Sequence, residues 1–356
     1  MKKQRDSTAP ARARPYPLPD PPVQDPSQWT EAKLVHYGLP HRPNAREHPE
    51  AARLWHETFG RVLRFLQFAP GNADAVQRTR LVQTDALGGE PALPEPPSSA
   101  EAVAPAGHLV DSLNWSGACL NATEGRSFRQ ISGRWTVPTL RVPAGQVEPS
   151  YECSCWIGLD GQRRYLNSTL PQCGTDHVLV TGVNGPTITC SAWVQWWAPR
   201  DSSATPVTIA GFDVNPGDQI RAVLTVLDAH NVLCNLINDS SQPPTMVAVQ
   251  ITAPTIVGQS GQYSVTGATA EWVMERPAVI DDPARLQPFP DYGATNFTDC
   301  VAEDVLPNAT SPALRTLATS RYIRMYEARH NPERTAFISL PHRVADRAFQ
   351  VSYGDT

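Results

Sequence analysis

Asn215-Pro216-Gly217-Asp218-Gln219-Ile220-Arg221-Ala222-Val223-Leu224-Thr225-Val226-Leu227-Asp228 opens on a turn and then alternates. Pro216-Gly217 fixes one φ and permits another of positive sign, which ends whatever precedes it. Ile220, Ala222, Leu224 and Val226 then recur every second residue. That period places them on one side of an extended chain, whereas a helix would need a repeat near 3.6. The stretch reads as a strand with one buried face.

The same signature recurs on both sides of it. Ser127–Pro138, His177–Gly185, Thr187–Pro199, Asn231–Asn238 and Thr245–Pro254 are short, apolar or alternating, and separated by turn residues. Val183-Asn184-Gly185-Pro186 and Gly258-Gln259-Ser260-Gly261 are further explicit turns. Many short strands without intervening helices predict an antiparallel β-sandwich over residues 108–305, of the two-sheet, lectin-like kind.

Outside this block the character changes. Residues 1–28 are rich in Pro and Arg and read as disordered. In 29–87, Ala51, Leu54, Trp55, Phe59, Val62, Leu63 and Leu66 recur at helical spacing after Pro49, so a helix is expected there. Residues 88–107 form a Pro/Gly/Ser/Ala linker, and 306–356 are a C-terminal extension with a helix expected over Ala313–Arg329.

Composition excludes several functions. Lys plus Arg number 30 against 35 Asp plus Glu, a net charge of -5 that gives no footprint for nucleic acid or anionic membrane. No stretch reaches the roughly 20 apolar residues of a membrane span. The N-terminus has no apolar signal-peptide core, although seven cysteines within 108–305 hint at disulfides and a secreted setting. Nothing points to a cofactor, and a monomer is expected. Cys153-x-Cys155 lacks a second ligand pair, so no metal site is expected. HExxH, GxSxG, Walker A and GxGxxG signatures are all absent.

What remains is a series of tryptophan-centred segments. They are Asn114-Trp115-Ser116-Gly117, Trp135-Thr136-Val137-Pro138 and Trp156-Ile157-Gly158-Leu159-Asp160-Gly161. Leu170-Pro171-Gln172-Cys173-Gly174-Thr175-Asp176 and Ala192-Trp193-Val194-Gln195-Trp196-Trp197 follow. Ala270-Glu271-Trp272-Val273-Met274-Glu275 and Pro288-Phe289-Pro290-Asp291-Tyr292-Gly293 come last. On a strand, Glu271 and Glu275 share one face and Trp272 and Met274 the other. A carboxyl partly desolvated among indoles holds its proton more tightly, which suits general acid–base work. A glutamine amide can stabilise an oxyanion without titrating.

In order and spacing these segments resemble the glutamic peptidases of the eqolisin family, over roughly residues 109–300. The resemblance implies a sandwich with a substrate groove, polypeptide substrates and acid endopeptidase activity. It places the catalytic pair on Glu275 and Gln172, and matches Asp160 and Asp176 to carboxylates that orient the glutamine. Trp115 and Trp156 match groove indoles, with Glu271 and Gln195 beside them. Gln195 stands where the family motif has an acid. It further implies that residues 1–107 could be a prosegment, whose Lys2, Lys3, Arg5, Arg12 and Arg14 would pair with groove carboxylates. An accessory helical region is the alternative. Competing functions are a non-catalytic sugar- or peptide-binding sandwich, and a glycosidase using Asp160 and Glu275.

Overall fold

The computed structural model describes residues 13–71, 79–80, 109–123, 125–162, 169–199, 205–279, 282–307, 312–327 and 336–354. Its principal strands are β1 (Trp115–Asn121), β2 (Ser127–Thr136), β3 (Ser150–Leu159), β4 (Leu170–Gly182) and β5 (Gly185–Trp197). They continue with β6 (Gln219–Asp228), β7 (Asn231–Asn238), β8 (Thr245–Thr252), β9 (Thr269–Glu275) and β10 (Ala294–Val305). β11 (Arg321–Glu327), β12 (Ala336–Ala345) and β13 (Ala348–Tyr353) complete the set.

Hydrogen bonding links them in the order β5-β4-β3-β9-β1-β11-β12-β13-β10-β2-β6-β7-β8, every one of these pairings antiparallel. The ribbon folds over at β11–β13, so two sheets face each other and form the sandwich. Period-two patterning sorts its side chains. Ala222, Leu224, Cys234, Leu236, Val247 and Val249 of one sheet meet Ile157, Cys173, Val194, Trp272 and Met274 of the other in a single buried core. Trp135 also lies in this core. The predicted turns fall where expected: Gly185, Gly217 and Gly258 all carry positive φ.

The helical region packs on the far side of the second sheet. Helices α1 (Glu31–His36) and α2 (Pro49–Phe59) bring Leu34, Trp55 and Phe59 onto Val223, Ile237 and Met246, which point away from the core. α2 ends at Gly60, and Leu63–Leu66, expected to continue the helix, is instead a strand paired in parallel with Thr245–Val247 on one side and antiparallel with Val23–Gln24 on the other. Residues 13–28, read as disordered, contain strands Ala13–Pro15 and Val23–Gln24 and a turn of 3-10 helix at Pro26–Gln28. The 88–107 linker and Lys2, Lys3, Arg5 and Arg12 lie outside the described residues.

The helix expected at Ala313–Arg329 does not form. Ala313–Thr316 is a strand, Leu317–Thr319 a 3-10 turn, and Arg321–Glu327 is β11. Non-local pairing decides this: Tyr322 sits opposite Ala118 and Ile323 opposite Gly117. The hint of disulfides also fails, because all seven cysteines are free thiols, six of them buried as core side chains.

Candidate active site

Glu271, Val273 and Glu275 project from β9 on the side away from the core, while Trp272 and Met274 enter it. Register spreads this face over five strands, since directly paired residues share a side. One row runs Cys119–Glu271–Gly158–Gln172–Gln195 across β1, β9, β3, β4 and β5. The next is Gly117–Val273–Trp156–Gly174–Trp193, and the third Trp115–Glu275–Ser154–Asp176–Ser191. Two glycines make room. A Cβ on Gly174 would lie 2.5 Å from Trp156 Cβ, and one on Gly158 would lie 3.2 Å from Gln172 Cβ.

Glu275 is gripped by indoles. Trp156 Nε1 donates to its Oε2 at 2.6 Å, and Asn114 Nδ2 donates to Oε1 at 3.3 Å. The Trp115 indole leans the same way without reaching full hydrogen-bond geometry, and packs edge-on against Trp156 with ring centroids 4.9 Å apart. Burial outweighs these donors and raises the Glu275 pKa to about 8. Glu271 is raised to about 8 as well, again by burial first, although nearby Thr269 and the Gly161 and Gln162 backbone favour its charged form.

Gln172 is fixed by its neighbour in the row: its Nε2 donates to Gln195 Oε1 at 2.8 Å. The two aspartates have other partners. Asp160, at φ 67°, accepts from Thr266 N at 2.5 Å, Thr266 Oγ1 at 2.8 Å and Ala268 N at 2.7 Å, closing the corner after β3. Asp176 hydrogen-bonds the carboxyl of Glu152, and burial together with that neighbour holds its pKa well above the carboxylate range. Glu152 escaped the sequence reading. Its spacing from Ser154 and Trp156 on β3 was the available signal.

The face is closed to solvent in this structure. Trp115, Trp156, Gln172, Glu271 and Glu275 are each 0% exposed, so this face does not form the expected open groove. Asp160 lies beside Thr269, six residues from Glu275 along β9. At about 3.3 Å per residue that is roughly 20 Å, well beyond the roughly 9.5 Å limit for a glycosidase carboxyl pair.

No curated protein sequence matches the chain. Among solved structures, scytalido-glutamic peptidase with a transition-state analogue inhibitor aligns at TM-score 0.47 and 20% identity, covering 67% of this chain and 98% of that one. SCP-B, a member of the eqolisin family in complex with the tripeptide Ala-Ile-His, aligns at 0.46 and 20%, with coverages of 67% and 98%. Aspergilloglutamic peptidase from Aspergillus niger aligns at 0.39 and 16%, with coverages of 57% and 99%. The sequence itself matches the Peptidase A4 family over residues 113–319, more than half of its 356 residues. This chain therefore belongs to the Peptidase A4 family, the glutamic peptidases or eqolisins.

Proposed function

We propose that this protein is an acid endopeptidase in which Glu275 activates a water for attack on the scissile carbonyl and Gln172 stabilises the oxyanion. The observation that carries the reading is a single sheet face bearing both residues, ringed by Trp115, Trp156 and Trp193. Glu275 takes the proton of the attacking water and returns it to the leaving amine, with no acyl-enzyme. Gln172 has one N–H occupied by Gln195, which leaves the other for the oxyanion.

The closed face adds a condition. With a pKa near 8, Glu275 is protonated throughout the acid range and cannot act as a base. Desolvation is the main cause of that shift, so hydration of the face by opening and substrate entry returns the carboxyl toward its ordinary range. General-base chemistry in acid thus belongs to an opened form.

Protein digestion between about pH 2 and 7, with pepstatin, with a chelator, and with Glu275→Gln and Gln172→Ala, tests the reading. Activity insensitive to both inhibitors and abolished by either substitution is expected. Folded wild-type protein that digests nothing across this range would leave the sugar- or peptide-binding reading in its place.

A further inference from the structure

The second sheet ends at β8, and a bare edge there would offer unpaired N–H and C=O groups to any other strand. The N-terminal region covers that edge. Ala13–Pro15 pairs antiparallel with Val249–Ile251, and Arg64–Leu66 pairs in parallel with Thr245–Val247. Val23–Gln24 then pairs with Leu63–Arg64 and extends the sheet by one more strand. Arg14, one of the cations expected to meet groove carboxylates, stands opposite Gln250 on β8.

The same region seals the outer face of this sheet. Trp29, Trp55 and Phe59 pack with Val223, Ile237 and Met246 in a buried cluster of their own. Asn235, paired with Val223, is fully buried, and its Nδ2 donates to Gly38 O at 2.7 Å. Without the region, Val223, Ile237 and Met246 would face solvent as a contiguous apolar patch. The ion pairs Arg61–Asp239 and Glu50–Arg347 add charge at its margin. Apolar contacts and backbone hydrogen bonds do not titrate, so acid leaves the main attachment intact.

We propose that residues 13–66 are a permanent part of the folded protein and not a removable prosegment, so that any activating cleavage falls beyond Leu66. Position supports this as well as packing. Trp55 and Phe59 lie on the outer face of the second sheet, Glu275 and Gln172 on the outer face of the first, and the core separates them. The chain reaches the first sheet only after Leu66. Gly71 N donates to Thr208 O at 2.8 Å, beside Trp193 on β5, and Thr79–Arg80 pairs with Ala278–Val279, just past Glu275. Removing 13–66 therefore unmakes the second sheet without uncovering the catalytic face. The inference does not depend on the peptidase reading, because folding and fragment retention report on it directly.

The test cuts the full chain at a site-specific protease sequence placed in the 88–107 linker, with cleavage verified by mass. The two pieces are expected to co-elute in size exclusion at neutral pH and in mild acid. Release of the N-terminal piece in acid from a sandwich that still melts cooperatively overturns the proposal. Deletion of residues 1–66 is expected to yield aggregate, or a Tm lower by about 10 °C or more, from the exposed apolar face and bare edge. A soluble deletion protein within about 2 °C of the full chain overturns it too. Trp55→Ala is the milder probe, expected to lower Tm by about 5–10 °C with protein digestion at 25 °C unchanged. An unmoved Tm, or digestion raised severalfold as loosening of an inhibitory segment would do, contradicts the structural role. Should wild type digest nothing, the peptidase reading fails alone, and co-elution and Tm still decide this one.

Discussion

Trp156 Nε1 donates to Glu275 Oε2 at 2.6 Å, joining adjacent strands β3 and β9 through two fully buried side chains. A donor to a carboxylate favours the charged form, which the proposed mechanism requires of Glu275. Trp156→Phe keeps most of the ring and removes the donor. The Glu275 pKa then rises further, so the acid limb of the kcat/KM profile moves to higher pH. A charge-assisted hydrogen bond of about 1.5–3 kcal/mol corresponds to roughly a 10- to 100-fold loss. An unmoved limb in the measured pH profile would show that this bond does not tune the base.

Stability should depend on pH in an unusual direction. Glu271 and Glu275 are raised from 4.5 to about 8 in the folded chain. Below about 4.5 both are protonated whether folded or not, and they cost nothing. Between there and 8 the unfolded chain ionises first, so stability is lost as pH rises, and above 8 the loss is complete. Asp160 and Asp176 are raised too and act in the same sense. Tm by calorimetry should fall from about pH 5 to pH 8, less steeply in Glu271→Gln. A Tm that climbs over this interval would contradict the protonated, closed face.

The sandwich was legible because its strands carry period-two patterns that bury one side: Ile220, Ala222 and Leu224 lie in the core as their spacing demands. The shared face of Glu271 and Glu275 followed from the same rule. Two kinds of feature were hidden. β11 has a local sequence that a helix tolerates, and its pairing with β1, β12 and Leu109–Ser112 makes it a strand. The Glu271–Gly158–Gln172–Gln195 row joins residues up to 113 positions apart through register, which no local pattern encodes. Closure of the face was equally out of reach, since burial depends on what the rest of the chain lays over it.

Asp304 ties the second sheet together. It is 2% exposed and accepts from Arg126 Nε at 2.6 Å and Arg315 Nε at 2.8 Å, while its carbonyl accepts from Arg126 Nη2 at 3.0 Å. Asp304→Ala strands two partly buried guanidinium groups. Loss of one partner from a buried pair costs about 3–5 kcal/mol, far more than a surface pair would. Denaturant titration should show that drop. A change below 1 kcal/mol would mean that solvent reaches Arg126 and Arg315 in solution.

The thiols offer a test that requires no activity. Seven free cysteines in a sandwich of this kind mean that its sheets are held by packing, without covalent cross-links. Six are buried, and Cys190 is only partly accessible, its pKa pushed up to about 12 by burial and by Asp176 and Asp218. Since the thiolate is the reactive form, native protein at neutral pH should react slowly with maleimide, and at Cys190 before any other. Unfolding in denaturant without reductant should expose all seven, read as seven added maleimides by intact mass. Five or fewer would reveal a disulfide and restore the oxidising setting that the cysteine count first suggested.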